Sequence, residues 1–151
     1  MIRHHQHTVL DSKLVQQKLE EFFKEDNIDF DITTKSTQIN TKMVLCHFIA
    51  KEDMVFAGKE IITQVFMKDC SIDSIMSDGA KVKKGEVIAN LSGSVDTILR
   101  KERVVLNLIQ RLSGIASTTN RLAEKLQPYN IQLLDTRKTT PGLRAFEKFA
   151  V

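Results

Sequence analysis

Hydrophobic positions along this chain follow a helical period, then an alternating one, then a helical one again. Leu14, Val15, Leu19, Phe22 and Phe23 share one helical face, with Gln16, Gln17, Lys18, Glu20 and Glu21 mostly on the other. With Asp11 or Ser12 as cap, this predicts an amphipathic surface helix. Residues 29–78 read as strand-like. The best runs there are 44–50 and 61–66, and the second suits a helix equally well. Residues 53–59, with Gly58, read as a turn. In residues 78–93 the glycines Gly79, Gly85 and Gly93 punctuate two short strands, which predicts a tight hairpin-like ribbon.

From residue 97 to 112 the period is helical. Ile98, Val105, Ile109 and Leu112 form a stripe, and Leu99, Leu106 and Leu108 widen it until most of the helix is expected to be buried. Arg100, Arg103, Asn107 and Gln110 form a narrow polar seam along it. Such a seam is either a solvated edge or a surface facing a ligand or another subunit. Gly114 is expected to break or bend the run, before a second helix carrying Ile115, Leu122, Ala123 and Leu126 toward Pro128. Residues 131–134 read as a short buried strand. Residues 143–151 have helical character, with Thr140 as cap and Pro141 at the first helical position. The sequence contains no internal repeat.

Composition narrows the class. A net charge of +3, 42% hydrophobic and 27% charged residues describe an ordinary globular protein rather than a disordered one. The apolar runs fall far short of the roughly 18 residues a membrane span needs. A +3 balance gives no concentrated basic face, so nucleic acid is not an expected partner. The N-terminal residues lack the apolar core of a signal peptide, which suits a cytoplasmic protein. Cys46 and Cys70 belong to no metal-binding pattern and read as buried reduced thiols, with a disulfide or a reactive cysteine as the alternative. His4, His5 and His7 read as part of a mobile tail rather than a metal site.

Chemistry concentrates in residues 135–142, Asp-Thr-Arg-Lys-Thr-Thr-Pro-Gly. Two cations, three hydroxyls and the amides of a helix start share one loop directly after the expected strand. That composition binds anions: Arg137 can grip a carboxylate or phosphate bidentately, and Lys138 adds a point charge. A merely solvated turn has the same look. Arg144 and Lys148, four apart on the next helix, either extend the patch or face water.

Three blocks, residues 102–107 (Glu-Arg-Val-Val-Leu-Asn), 110–116 (Gln-Arg-Leu-Ser-Gly-Ile-Ala) and 135–143 with Arg144-Ala145 and Glu147-Lys148, resemble nicotinate-nucleotide pyrophosphorylase (carboxylating), the quinolinate phosphoribosyltransferase family. Asp31-Ile32-Thr33-Thr34 and the 78–93 ribbon resemble weaker blocks of the same family. Just before Asp31 the family usually has glycines, where this sequence reads Asn27-Ile28-Asp29-Phe30. The resemblance implies a transferase that moves phosphoribose from phosphoribosyl pyrophosphate to quinolinate with decarboxylation. The products are nicotinate mononucleotide, pyrophosphate and CO2, in NAD biosynthesis. It implies a cytoplasmic homodimer or higher homo-oligomer, with Mg2+ accompanying phosphoribosyl pyrophosphate. By position, Arg103 resembles the arginine that reaches substrate across the dimer interface. Thr136, Arg137 and Lys138 resemble the substrate-binding segment, while the catalytic residues stay unassigned.

The implied fold class is an α+β N-terminal sandwich domain, residues 1–112, followed by the beginning of an α/β barrel, residues 113–151. One strand with its flanking helices fills the second part, whereas a whole barrel takes on the order of 200 residues or more. The expectation is therefore a barrel truncated in this chain: a fragment, or a protein completed by a second chain. Such a chain is expected to be inactive alone, with Mg2+ ligands elsewhere. Two alternatives are a phosphoribosyltransferase-like protein of molybdate operons with the same fold, and a non-enzymatic lipoyl or biotinyl carrier built on the 78–93 ribbon.

Overall fold

The computed structural model describes residues 8–28 and 42–151. The expectations for His4, His5, His7 and Asp31 to Thr34 lie outside the described residues. The first helix, α1, is Ser12–Glu25, and the Asp11 carboxylate caps it by accepting from the Leu14 amide at 2.8 Å. Its Val15 and Leu19 are buried, as the amphipathic pattern requires.

Strand β1 is Met43–Ile49 and the two-residue β2 is Met54–Val55. The ambiguous run after it is a helix, α2, Lys59–Phe66, with Ile61, Ile62, Val65 and Phe66 buried on one face. Asp78 holds its start, accepting from the Gly58 and Lys59 amides at 2.6 and 3.0 Å. Gly58 has φ +150°, and a Cβ there would lie 2.5 Å from Ile109 Cγ2, so only glycine lets the chain pass this close to its neighbour. Strand β3, Cys70–Ile75, β4, Lys81–Val82, and β5, Val87–Ser94, follow.

The main sheet is antiparallel in the order β1-β5-β3. Leu91 lies opposite Cys46 on one side and Ile72 on the other, and Ala89 lies opposite Phe48 and Ile75. These positions share the core face, while Asn90 and Ser92 point to the other. Cys46 and Cys70 are free and half-buried; burial pushes both thiols up from their ordinary pKa.

Residues 78–93 are not a hairpin: β4 pairs with β2, whereas β5 pairs with β1 and β3. The turn closed by Glu86 N–H on the Lys83 carbonyl at 3.0 Å joins strands that lie against the distant segment 43–56. Ala50 exchanges hydrogen bonds with Glu86 and Gly85, and Phe56 with Ala80 and Gly79, so long-range pairing replaces the local one. Lys83 is paired with Asp53 at 2.8 Å, and the Lys84 amide donates to the same carboxylate at 3.0 Å.

Helix α3 runs without a break over Val95–Leu126. Gly114 neither ends nor bends it into a second helix. A glycine inside a helix costs about 1 kcal/mol relative to alanine, and burial of Leu112, Ser113 and Ala116 around it offsets that. The first half packs Ile98, Val104, Val105, Leu108, Ile109 and Leu112 into the core, but Leu106 and Leu122 are exposed, so less of the helix is buried than its stripe predicts. Ser113 and Ser117 accept the Ala57 and Val55 amides at 3.1 and 2.8 Å, stitching β2 and its continuation to the helix. A short 3-10 turn, Gln127–Tyr129, ends at Asn130 in the left-handed region, φ +53°.

Residues 131–134 form no strand. Ile131, Leu133 and Leu134 are exposed, because no ladder partner among the described residues pairs with this segment. The last helix, α4, is Arg144–Ala150, capped by Leu143 rather than Thr140. Thr140-Pro141-Gly142-Leu143 is instead a turn: the Leu143 amide donates to the Thr140 carbonyl at 3.0 Å, with φ +82° at Gly142. Proline second and a positive-φ glycine third are the signature of a type II turn, and this geometry delays the helix by three residues.

Candidate functional site

The anion-binding composition lies in an irregular loop between the 3-10 turn and α4. Its ends are tied down. Asp135 pairs with Lys148 of α4 at 2.5 Å, and Thr139 Oγ1 accepts from Arg144 Nε at 3.1 Å. Thr140 is held by Glu147, whose Oε2 accepts its amide at 3.0 Å, and by Arg111 of α3, which donates to its Oγ1 at 2.5 Å. Between these anchors Thr136, Arg137 and Lys138 are exposed. Thr136 Oγ1 accepts the Lys138 amide at 3.0 Å, a local bond that shapes the bend. Arg137 and Lys138 make no ion pair among the described residues, so their charges face solvent.

Both Arg144 and Lys148 hold the loop, but only Lys148 has its charge paired. Arg144 bonds Thr139 through Nε alone, is exposed and makes no ion pair among the described residues, so it extends the patch. Arg103 sits elsewhere on α3. Its guanidinium reaches both Asp26 oxygens, at 3.1 and 3.2 Å, tying α3 to the end of α1. Arg111, which touches the loop, lies eight residues further on, about 12 Å along the helix axis. Of the polar seam, Arg100 is paired with Asp96 at 2.9 Å, while Arg103, Asn107 and Gln110 form an exposed edge. Asn107, Gln110, Arg111, Gly114 and Thr118 line an open groove of about 590 Å³ along α3.

Arg111 and Glu147 lie in the blocks of family resemblance without an expected role. Glu147 is 8% exposed, and its Oε1 accepts from Arg111 Nε at 2.9 Å and Nη2 at 2.6 Å. Burial pushes its carboxyl up, but the hydrogen bonds from Arg111 and Thr140 outweigh that and hold it below the usual range. One signal was available: Phe146, Glu147 and Ala150 fall on one face of the last helix, which sets a carboxylate among apolar positions where it must find a partner. With Glu147 and Asp135 both paired to cations, the carboxylates nearest the loop are spoken for. The described residues contain no group of three side chains suited to hold a metal ion, and none of their helices is long and apolar enough to cross a membrane.

Two family models match the chain: the quinolinate phosphoribosyl transferase N-terminal domain over residues 31–113, and the C-terminal domain of the same family over 115–151. A probable nicotinate-nucleotide pyrophosphorylase (carboxylating) of Bacillus subtilis is 44% identical over 140 residues, which cover 91% of this chain and 48% of that protein. A quinolinate phosphoribosyltransferase (decarboxylating) of Nicotiana glauca is 40% identical over 124 residues, 80% of this chain and 35% of that one. The solved nicotinate-nucleotide pyrophosphorylase of Francisella tularensis superposes with a TM-score of 0.90 at 34% identity, covering 98% of this chain and 53% of the other. The chain thus spans about half the length, or less, of the curated relatives it matches.

Proposed function

This chain belongs to the quinolinate phosphoribosyltransferase family, and from that premise we propose that it supplies the quinolinate-recognising part of an enzyme making nicotinate mononucleotide. The reaction transfers phosphoribose from phosphoribosyl pyrophosphate to the quinolinate nitrogen, with loss of CO2 and pyrophosphate, in cytoplasmic NAD biosynthesis. Residues 1–112 form the N-terminal domain and 113–151 open an α/β barrel. Thr136, Arg137 and Lys138 bind substrate. Quinolinate carries two carboxylates, and a planar guanidinium with an adjacent ammonium is the donor set such a dianion needs.

The observation that carries this reading is the contrast between the loop's own cations and the paired ones that anchor it. Lys148 and Arg111 are paired with internal carboxylates, while Arg137 and Lys138 are held between anchored ends with their charges unused, and Arg144 beside them makes only one bond, to a neutral hydroxyl. A site whose cations are fixed before the substrate arrives stabilises developing charge without reorganising. Arg103 reaches the site of a neighbouring subunit, which requires a homodimer or larger assembly. Mg2+ enters with the pyrophosphate donor, and the described residues offer no carboxylate cluster to hold it.

Titrating the chain with quinolinate, with phthalate and benzoate as dianionic and monoanionic comparisons, tests the reading. Shifts of the Thr136, Arg137 and Lys138 amides with quinolinate, weaker with benzoate and lost in Arg137→Ala, are the expected result. Shifts confined to other residues, or unchanged in Arg137→Ala, overturn it.

A further inference from the structure

We propose that Arg111 and Glu147 form a positioning pair for the substrate loop, fixing where Arg137 and Lys138 stand; this rests on the reading that residues 136–138 bind quinolinate. Every polar backbone group of Thr140, and its hydroxyl, is engaged. Its amide donates to Glu147 Oε2, its carbonyl closes the turn to Leu143, and its Oγ1 accepts from Arg111. Arg137 is only three residues upstream, so at most about 10 Å of chain separates it from this anchor. Asp135, tied to Lys148, fixes the other end. The stretch between is a short bridge, and one end of that bridge is held by the Arg111–Glu147 pair, of which Glu147 is buried.

Charge gives the pair a second role. Glu147 is buried beside a loop meant to attract anions, and alone it would repel them. Arg111 alone would stand as a further open cation near Arg137 and draw a dicarboxylate out of register. Joined by two hydrogen bonds to the same carboxylate oxygen, they are neutral as a unit, and the unbalanced charge is left on residues 137, 138 and 144. Both act on the loop through Thr140, so both are positioning residues rather than catalytic ones.

The test combines amide exchange at Thr140 in the ligand-free chain with quinolinate affinity by amide-shift titration. Variants are Arg111→Ala, Arg111→Lys, Arg137→Ala and the swap Arg111→Glu with Glu147→Arg, each first checked for an intact fold by melting temperature. Expected are faster Thr140 exchange and quinolinate affinity weakened roughly tenfold or more in Arg111→Ala, a smaller loss in Arg111→Lys, and partial recovery in the swap. Unchanged Thr140 exchange in Arg111→Ala overturns the proposal. So does unchanged affinity there while Arg137→Ala loses its affinity, since the pair is then structural alone. If Arg137→Ala also binds as the parent does, the site reading itself fails, and the proposal with it.

Discussion

Arg137 is separated from the paired cations that anchor its loop by having no ion pair among the described residues. Arg111 and Lys148 are paired and Arg144 is bonded to Thr139; Arg137 is exposed without an ion pair among the described residues. Arg137→Ala is therefore expected to weaken substrate or transition-state binding by about 2–5 kcal/mol, as when one partner leaves a charged pair that becomes buried in the complex. The ligand-free melting temperature should hardly move, and calorimetric melts beside quinolinate titrations check both halves. Arg137→Lys should bind nearly as poorly, because an ammonium cannot reproduce bidentate geometry. Glu147 behaves in the opposite way. Its carboxyl is held below the ordinary value chiefly by hydrogen bonds from Arg111 and Thr140, against burial, while Lys148 on the same helix is occupied by Asp135. Its stabilisation is thus full above the ordinary glutamate pKa of about 4.3 and fades as pH falls through the lower folded value. Glu147→Gln should cost stability at neutral pH yet approach the parent in acid, giving a flatter melting temperature against pH. The exposed cations of the loop were legible in the sequence because they adjoin in it. The Arg111–Glu147 contact was not, since a pairing across 36 residues is fixed by how two helices pack.

Two glycines on neighbouring elements show how differently the same residue type can act. A Cβ at Gly58 meets Ile109 at 2.5 Å where the helices α2 and α3 approach, and φ there is +150°. Gly58→Ala should destabilise by about 1–3 kcal/mol through strain and overpacking. At Gly114, inside α3, an added Cβ meets no atom within 4 Å. Gly114→Ala should stabilise by up to about 1 kcal/mol, because a helix interior favours alanine. Chemical denaturation of both variants reads the two signs directly. The same contrast explains which elements were legible. α1 was readable, cap included, because its amphipathic period and Asp11 are local. The break expected at Gly114 is absent because burial on both sides outweighs a local propensity, and the expected hairpin is absent because β4 pairs with β2, and β5 with β1 and β3, rather than with each other. The supposed strand at 131–134 lacks a partner among the described residues, and hydrophobic character alone makes no ladder.

At the scale of the assembled protein, the proposed shared site draws Arg103 from one subunit and Arg137 from another; within this chain Arg103 lies on Asp26 and the loop is anchored two turns further along α3. In an enzyme assembled around this chain, Arg103→Ala and Arg137→Ala proteins should each be inactive, and an equal mixture with free subunit exchange should regain about one quarter of the sites. No recovery despite demonstrated exchange counts against a shared site. The uninterrupted α3, 32 residues and about 48 Å long, has a mechanical consequence for any such assembly. The proposed domain division near residue 112 falls within it, where Leu112 and Ser113 are buried, so no hinge exists there and the two parts cannot swing apart without melting a turn. A protease finds no flexible seam at that point either. Among the described residues beyond the division, trypsin should cut first after Arg137 or Lys138, or in the exposed stretch at Arg121 and Lys125, so that the new C-terminal edge, read by mass spectrometry, lies well beyond the division itself.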